Sequence, residues 1–223
     1  MQKLIIIGNT STAEIMYGYT KSDKRYLIEA FSVDKEYIKE KKICGIKIVD
    51  LNDLNKIYNP KDYSVIIGIG YKNLNRNRED IFKRVKKLGF KIETYIHPDA
   101  KIHNDKVIGE GSIVLPNTVV EPYSSIGQNT VVWSNCTIGH HSKLGDNCWI
   151  AAGTIIGGEA TVKNNCFLGL NVTVTNKIVI DSFNIIGANT SVQKCTKENE
   201  VYLSRNGEKH RFNASDYATH CLV

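Results

Sequence analysis

Residues 126–150 read IGQNTVVWSNCTIGHHSKLGDNCWI, with an aliphatic residue at Ile126, Val132, Ile138, Leu144 and Ile150. The same register extends in both directions. It takes in Ile102, Ile108, Val114 and Val120 before this stretch. After it come Ile156, Val162, Leu168, Val174, Ile180, Ile186 and Val192, giving sixteen positions that are all Ile, Val or Leu. The next residue is Gly at 109, 127, 139, 145, 157, 169 and 187. The residue four after the aliphatic one is usually small, as at Ser112, Thr118, Ser124, Thr130, Cys136, Ser142, Cys148, Thr154, Ala160 and Cys166. A period of six is neither the 2 of a strand nor the 3.6 of a helix. It fits a solenoid in which one aliphatic side chain per hexad points inward, a small one sits beside it, and glycine permits the corner. Cys136, Cys148 and Cys166 are then compact core residues.

Residues 1–97 follow a different rule. Lys3–Gly8, Tyr26–Val33, Lys47–Val49, Ser64–Gly70 and Lys91–Ile96 read as strands. Residues 13–19 and 76–88 read as helices, with N-cap chemistry at Asn9-Thr10-Ser11-Thr12. This alternation predicts a small open parallel α/β sheet with helices on both faces, a layout that the family resemblance given below makes Rossmann-like. The expected division is 1–97 for the α/β domain, 98–197 for an all-β solenoid without a projecting loop, which the family resemblance given below makes a β-helix of about five coils, and 198–223 for a tail.

Composition bounds the function. The chain has 223 residues, 42% hydrophobic and 23% charged, with a net charge of +6 (29 − 23). Its basic residues are scattered, so no nucleic-acid partner is expected. No apolar run approaches a membrane span, and Met1–Gly8 is too short for a secretory signal, so no membrane insertion and a cytoplasmic location are expected. Six cysteines without a CxxC pair exclude zinc-ribbon and thioredoxin-like readings. Reduced thiols are expected.

Of the six histidines, His140 and His141 lie in the central coils, outside the inward positions, and project from a corner. Imidazole suits the removal of a proton from an attacking amine, and corner N–H groups can stabilise an oxyanion. No Ser or Cys stands in a nucleophile motif.

Residues 102–197 resemble the hexapeptide-repeat acyltransferases, which implies a left-handed parallel β-helix with three hexads per coil. The whole chain resembles the NeuD/PglD-like sugar acetyltransferases of bacterial glycan synthesis. The matching segments are LIIIGNTST (Leu4–Thr12), Val33-Asp34, GIGYK (Gly68–Lys72), IHP (Ile96–Pro98), IGHHSKLG (Ile138–Gly145) and FLGLNV (Phe167–Val172). The resemblance implies acetyl transfer from acetyl-CoA to a nucleotide-linked amino sugar, with no metal. His140 corresponds to the family's general base. His141 stands where an acid often orients that base, and Trp149 stands where some members carry a histidine near the acetyl group. Gly8, Asn9, Thr10, Ser11, Thr12, Asp34, Gly70, Tyr71 and Lys72 are implied to bind the nucleotide sugar, although the first loop lacks the family's Gly-His-Gly. Coenzyme A is implied to lie along Gly157, Gly158, Gly169, Leu170, Asn171, Gly187 and Ala188. A homotrimer is implied, with Val119, Val131, Ile155 and Phe167 exposed on flat faces.

Three other readings stay open. O-acetylation of a sialic acid or another sugar shares the architecture. A γ-carbonic-anhydrase-like zinc enzyme needs three convergent histidines, and only an adjacent pair is present. A non-catalytic scaffold leaves the histidine corner without a role.

Overall fold

The computed structural model describes residues 1–103, 108–209, 211, 213, 214 and 218. His210, His220 and Cys221 therefore lie outside the described residues.

The first part of the chain is a six-stranded sheet. Its strands are β1 (Gln2–Ile7), β2 (Tyr26–Val33), β3 (Lys42–Ile43), β4 (Ile46–Asp50), β5 (Tyr63–Ile67) and β6 (Lys91–Ile92), in the order β3-β4-β2-β1-β5-β6. All pairings are parallel except β3 with β4, a hairpin closed by Cys44 and Gly45, both at positive φ. Neither this hairpin nor the short helix α2 (Leu54–Ile57) was legible in the periodicity. Alternate residues of β1 face opposite ways. Leu4 and Ile6 pack with Ala13 and Met16 of helix α1 (Ser11–Ser22). Ile5 and Ile7 pack with Leu54 and with Val85 of helix α3 (Arg76–Lys87). The turn after β1 is tight. Gly8 has φ +130°, and a Cβ there would fall 2.6 Å from the Gly68 carbonyl oxygen, so only glycine fits.

From Tyr95 onward the chain winds through two-residue strands. The strand expected over Lys91–Ile96 is in fact two. Lys91–Ile92 closes the α/β sheet, while Tyr95–Ile96 pairs with Ile113–Val114 and starts the coils. Strands eighteen residues apart pair in parallel and form three faces. Face I carries Tyr95, Ile113, Val131, Trp149, Phe167 and Ile185 outward. Face II carries Lys101, Val119, Thr137, Ile155, Thr173 and Ser191. Face III carries Ser125, Lys143, Thr161 and Val179. The second residue of each strand is the predicted aliphatic one, and together they form the inner core. Beside them the small residues are buried. Most of their hydroxyls and thiols donate to carbonyls fifteen residues on, as from Thr118 to Trp133 (2.8 Å) and Thr154 to Gly169 (3.1 Å), whereas Ser124 and Ser142 donate three residues back. Burial pushes the Cys136 thiol up to about 11, so it is a structural thiol rather than a nucleophile. The last coil is two residues short: Val201–Tyr202 pairs with Ile185–Ile186 at a separation of sixteen.

Each corner turns on the third residue after the aliphatic one. Every sixth residue from Gly111 to Asn189 has positive φ. Most are Asn or Gly, the residues that tolerate the left-handed region best.

The α/β domain is docked on face I. For Val131 and Phe167 this corrects the expectation of exposure, whereas Ile155 is exposed as expected. Val131 is buried and Phe167 half-buried beneath the first domain, while Val119 and Ile155 lie on face II. The docking is polar as well as apolar. Arg78 of α3 is fully buried. It donates to the carbonyls of Ile67 (2.5 Å) and Ile69 (3.3 Å) in its own domain, and of Gly111 (3.2 Å) and Asn129 (3.2 Å) in the coils. Burial pushes its guanidinium well below the ordinary arginine range. Asn75 donates to the Cys166 carbonyl, and Asn165 donates to the Leu74 carbonyl and to Glu79. Removing one partner of such a network strands several buried acceptors, each costing about 1–3 kcal/mol. Arg78→Ala should therefore lower unfolding stability by roughly 3 kcal/mol or more in urea titration. A loss under about 1 kcal/mol would mean that the guanidinium does not hold the two parts together.

Candidate functional site

Two polar features stand out. The first is the corner between faces II and III, where His140 and His141 are exposed. Their Nδ1 atoms are 3.1 Å apart. One proton between them makes this a hydrogen bond, so one ring donates and the other accepts. If His140 donates, its Nε2 is left as a free acceptor. That edge lies against Gly158 one coil on, where a Cβ would come 2.6 Å from both Nε2 and Cε1. The backbone N–H of His140 donates to Glu121 (2.8 Å), which sits eighteen residues before Gly139 and thus directly beneath it. His141 occupies the left-handed corner position (φ +58°), and its ring stacks on Tyr123 at 4.7 Å. The N–H groups at this corner are taken: Gly158 donates to Asn176 and Glu159 to the His140 carbonyl. The expected oxyanion donors are thus already bonded in this state.

The second feature is a cleft of about 670 Å³ at the ends of β1, β2 and β5. It gathers Asn9, Thr10, Asp34 and Lys72 of the predicted set. Gly8, Ser11, Thr12, Gly70 and Tyr71 do not line it. Thr10 is the N-cap of α1, but no side-chain cap bond forms. Asn9 instead donates to the Tyr37 carbonyl (2.8 Å), holding the loop after β2. Asp34 is gripped by both nitrogens of the Arg84 fork, which raises the arginine further. Tyr71 turns to the coils and stacks on Trp149 (5.2 Å) and Phe167 (4.7 Å). Trp149 therefore belongs to the docking face, one face away from the histidine corner.

Arg76, Asn77, Asp80 and Arg84 also line the cleft and were not singled out from the sequence. Their spacing of four along α3 places Arg76, Asp80 and Arg84 on one stripe, which also reads as an ordinary solvated face. Among the described residues no group of three metal-ligating side chains converges.

The glycines implied for coenzyme A divide between two corners. Gly157 and Gly158 share the histidine corner. Gly169, Leu170, Asn171, Gly187 and Ala188 lie on the corner between faces I and II, where Leu203 folds over Gly187 and Ser204 donates to the Ala188 carbonyl.

These features define a class: a hexapeptide-rung parallel β-helix with an α/β domain on one face and a histidine pair at one corner. Residues 90–202 match the GMPPB C-terminal domain family, and the chain belongs to it. No curated protein matches the chain in sequence. Among solved structures, the acetyltransferase domain of PglB from Neisseria gonorrhoeae FA1090 is 21% identical and covers 92% of this chain and 97% of its own, with a TM-score of 0.83. PerB from Caulobacter crescentus, solved with CoA and GDP-perosamine, is 22% identical over 91% of this chain and 94% of its own (TM-score 0.79). WeeI from Acinetobacter baumannii AYE is 17% identical over 92% and 97% (TM-score 0.66). The chain shares their fold, and its rungs fit a left-handed β-helix.

Gly158→Ala should push the His140 ring off its seat. A crystal structure or the imidazole NMR shifts of the variant would show the displacement, and an unmoved ring would mean that Gly158 does not define its position.

Proposed function

We propose that this chain is an acetyl-CoA-dependent N-acetyltransferase acting on the amino group of a nucleotide-linked amino sugar, of the 4-amino-4,6-dideoxy type, in bacterial surface-glycan synthesis. It works in the cytoplasm as a homotrimer. The observation that carries this reading is the histidine pair: His140, tied at Nδ1 to His141, presents Nε2 at an exposed corner over a glycine. PerB, which shares the fold, was solved with CoA and GDP-perosamine.

The first domain is Rossmann-like and takes the nucleotide at the cleft. Lys72 and Arg76 supply cations for a diphosphate, and the N-terminus of α1 opens beside Asn9 and Thr10. The sugar amine attacks the thioester carbonyl as a C–N bond forms, and His140 Nε2 takes the amine proton. Collapse breaks the C–S bond, and the proton passes to the departing thiolate. His141 keeps Nδ1 of His140 protonated, so that Nε2 is the basic nitrogen. His140→Ala should lower kcat about 10²–10⁴-fold, and His141→Ala should cost less. A near-wild-type kcat in His140→Ala, measured by thiol release with nucleotide amino sugars, would sink the assignment.

Where the parts sit supports an assembly in which neighbouring chains share the site, which we read as the trimer. Arg76 of the cleft lies over Phe183 (4.9 Å), on the corner between faces III and I. The histidine corner is on the other side of face III. A sugar held at the cleft of one chain is therefore best served by the histidines of a neighbour. The glycines of two corners are likewise united where one chain's histidine corner meets the next chain's corner between faces I and II. Coexpressed His140→Ala chains and Lys72→Ala/Arg76→Ala chains, each inactive alone, should regain activity in mixed trimers. No recovery, or a monomer in sedimentation, would argue for a site within one chain.

A further inference from the structure

The left-handed corner positions follow a rule with few exceptions, and the exceptions are grouped. On the corner between faces I and II the residues are Asn117, Asn135, Gly153, Asn171 and Asn189. On the corner between faces III and I they are Gly111, Asn129, Asn147, Asn165 and Phe183, and Phe183 is the residue that receives Arg76. On the histidine corner none is Asn or Gly. Four successive coils carry Tyr123, His141, Glu159 and Lys177, at φ +58° to +63°. Of the five corner side chains that dislike this conformation, four line this one edge, and strained backbone of that kind gathers at functional sites. Two of the four, His141 and the Tyr123 stacked on it, already belong to the site. Glu159 and Lys177 do not yet have a role. They are exposed and 3.7 Å apart, and the backbone N–H of Lys177 donates to the Gly158 carbonyl beneath the His140 ring.

We propose that Glu159 and Lys177 are donor-binding residues that hold the two amides of the pantetheine arm of acetyl-CoA, laid along this edge with its thioester at His140. The inference rests on the acetyl-CoA reading above. Coils are spaced by about 4.8 Å, so Glu159 and Lys177 stand one and two coils beyond His141. In pantetheine two secondary amides are separated by two methylenes, a spacing of roughly one coil. Glu159 accepts from an amide N–H and Lys177 donates to an amide C=O. Gly157 and Gly158 leave the corner open to the arm.

Glycine occurs naturally at the equivalent position of the other two corners, at Gly111 and Gly153, so Glu159→Gly and Lys177→Gly remove the side chains while suiting the backbone. Both variants should keep or raise the Tm. Each should weaken acetyl-CoA binding about 3- to 30-fold in calorimetry, and the same loss should appear with S-acetylpantetheine but not with adenosine 3′,5′-bisphosphate. If Glu159→Gly tightens binding while Lys177→Gly weakens it, the pair acts only through its charge on the phosphates and the proposal fails. Equal binding by wild type and both variants overturns this inference alone. Failure of the wild type to bind acetyl-CoA overturns the donor reading and this inference with it.

Discussion

The arrangement depends on one buried cation. Arg78 has no carboxylate partner; its charge is held by main-chain carbonyls from both parts of the chain. A buried charge without hydrogen bonds is very costly. The arginine is therefore stable only where β5, α3 and the corners at Gly111 and Asn129 all converge on it. That requirement fixes the angle at which α3 leaves the sheet and the coil against which it lies. It also places Asn73, Leu74 and Asn75, three consecutive residues at positive φ, between the cleft and the coils. Asn73 lines the cleft while Asn75 is bonded to Cys166. The loop that borders the cleft is thus tied to the rung beneath it. The cleft has its position because the docking is specific, not because the sheet alone would create it.

The coils impose a second constraint. A β-helix of this kind needs one left-handed residue per hexad, and each non-glycine residue in that region costs about 1–2 kcal/mol unless its side chain compensates, as Asn does. Asn is accordingly common wherever a corner has only to turn. Tyr123, His141, Glu159, Lys177 and Phe183 depart from that economy. The departure is informative because a stable scaffold does not need it.

Much of this was legible in residues 102–192 because the period is strict and the inner positions admit only one class of side chain. Ile102 through Val192 and the small residues beside them were read correctly for that reason. The third position after each aliphatic residue was not read, although Asn117, Asn129, Asn135, Asn147, Asn165, Asn171 and Asn189 mark it in the sequence. Its rule is conformational rather than hydrophobic. The outward positions misled: Val131 and Phe167 look the same whether they await a partner chain or lie under the first domain. Lys91–Ile96 looked continuous because the change from sheet to coil occurs between two apolar pairs. In the first domain the place of Asn9, Thr10, Asp34 and Lys72 beside the cleft was legible because they follow strand ends. Arg76 and Arg84 were missed because a charged helical stripe has no signature separating a cleft wall from a wet surface. Arg78 was missed because a buried arginine held by carbonyls leaves no complementary acid in the sequence.

The three faces are not equivalent, and this restricts how copies of the chain can meet. Face I is committed: Tyr95, Ile113, Val131 and Trp149 are buried against the first domain. Face III offers Ser125, Lys143, Thr161 and Val179, among which Lys143 is exposed and charged, a composition that resists desolvation. Face II offers Val119 and an Ile155 that is 47% exposed, flanked by threonines at 137 and 173. Burying that face around Ile155 removes apolar area from water, because its exposed Lys101 stands at the far end, in the first coil. It is also the face bordered by both corners on which the coenzyme glycines lie. Self-association through face II would cover Ile155 and close over the histidine edge, whereas association through face III would border the same edge but leave Ile155 in water. The distribution of charge over the coils therefore points to the same edge as the left-handed residues do, although the two patterns have different physical causes.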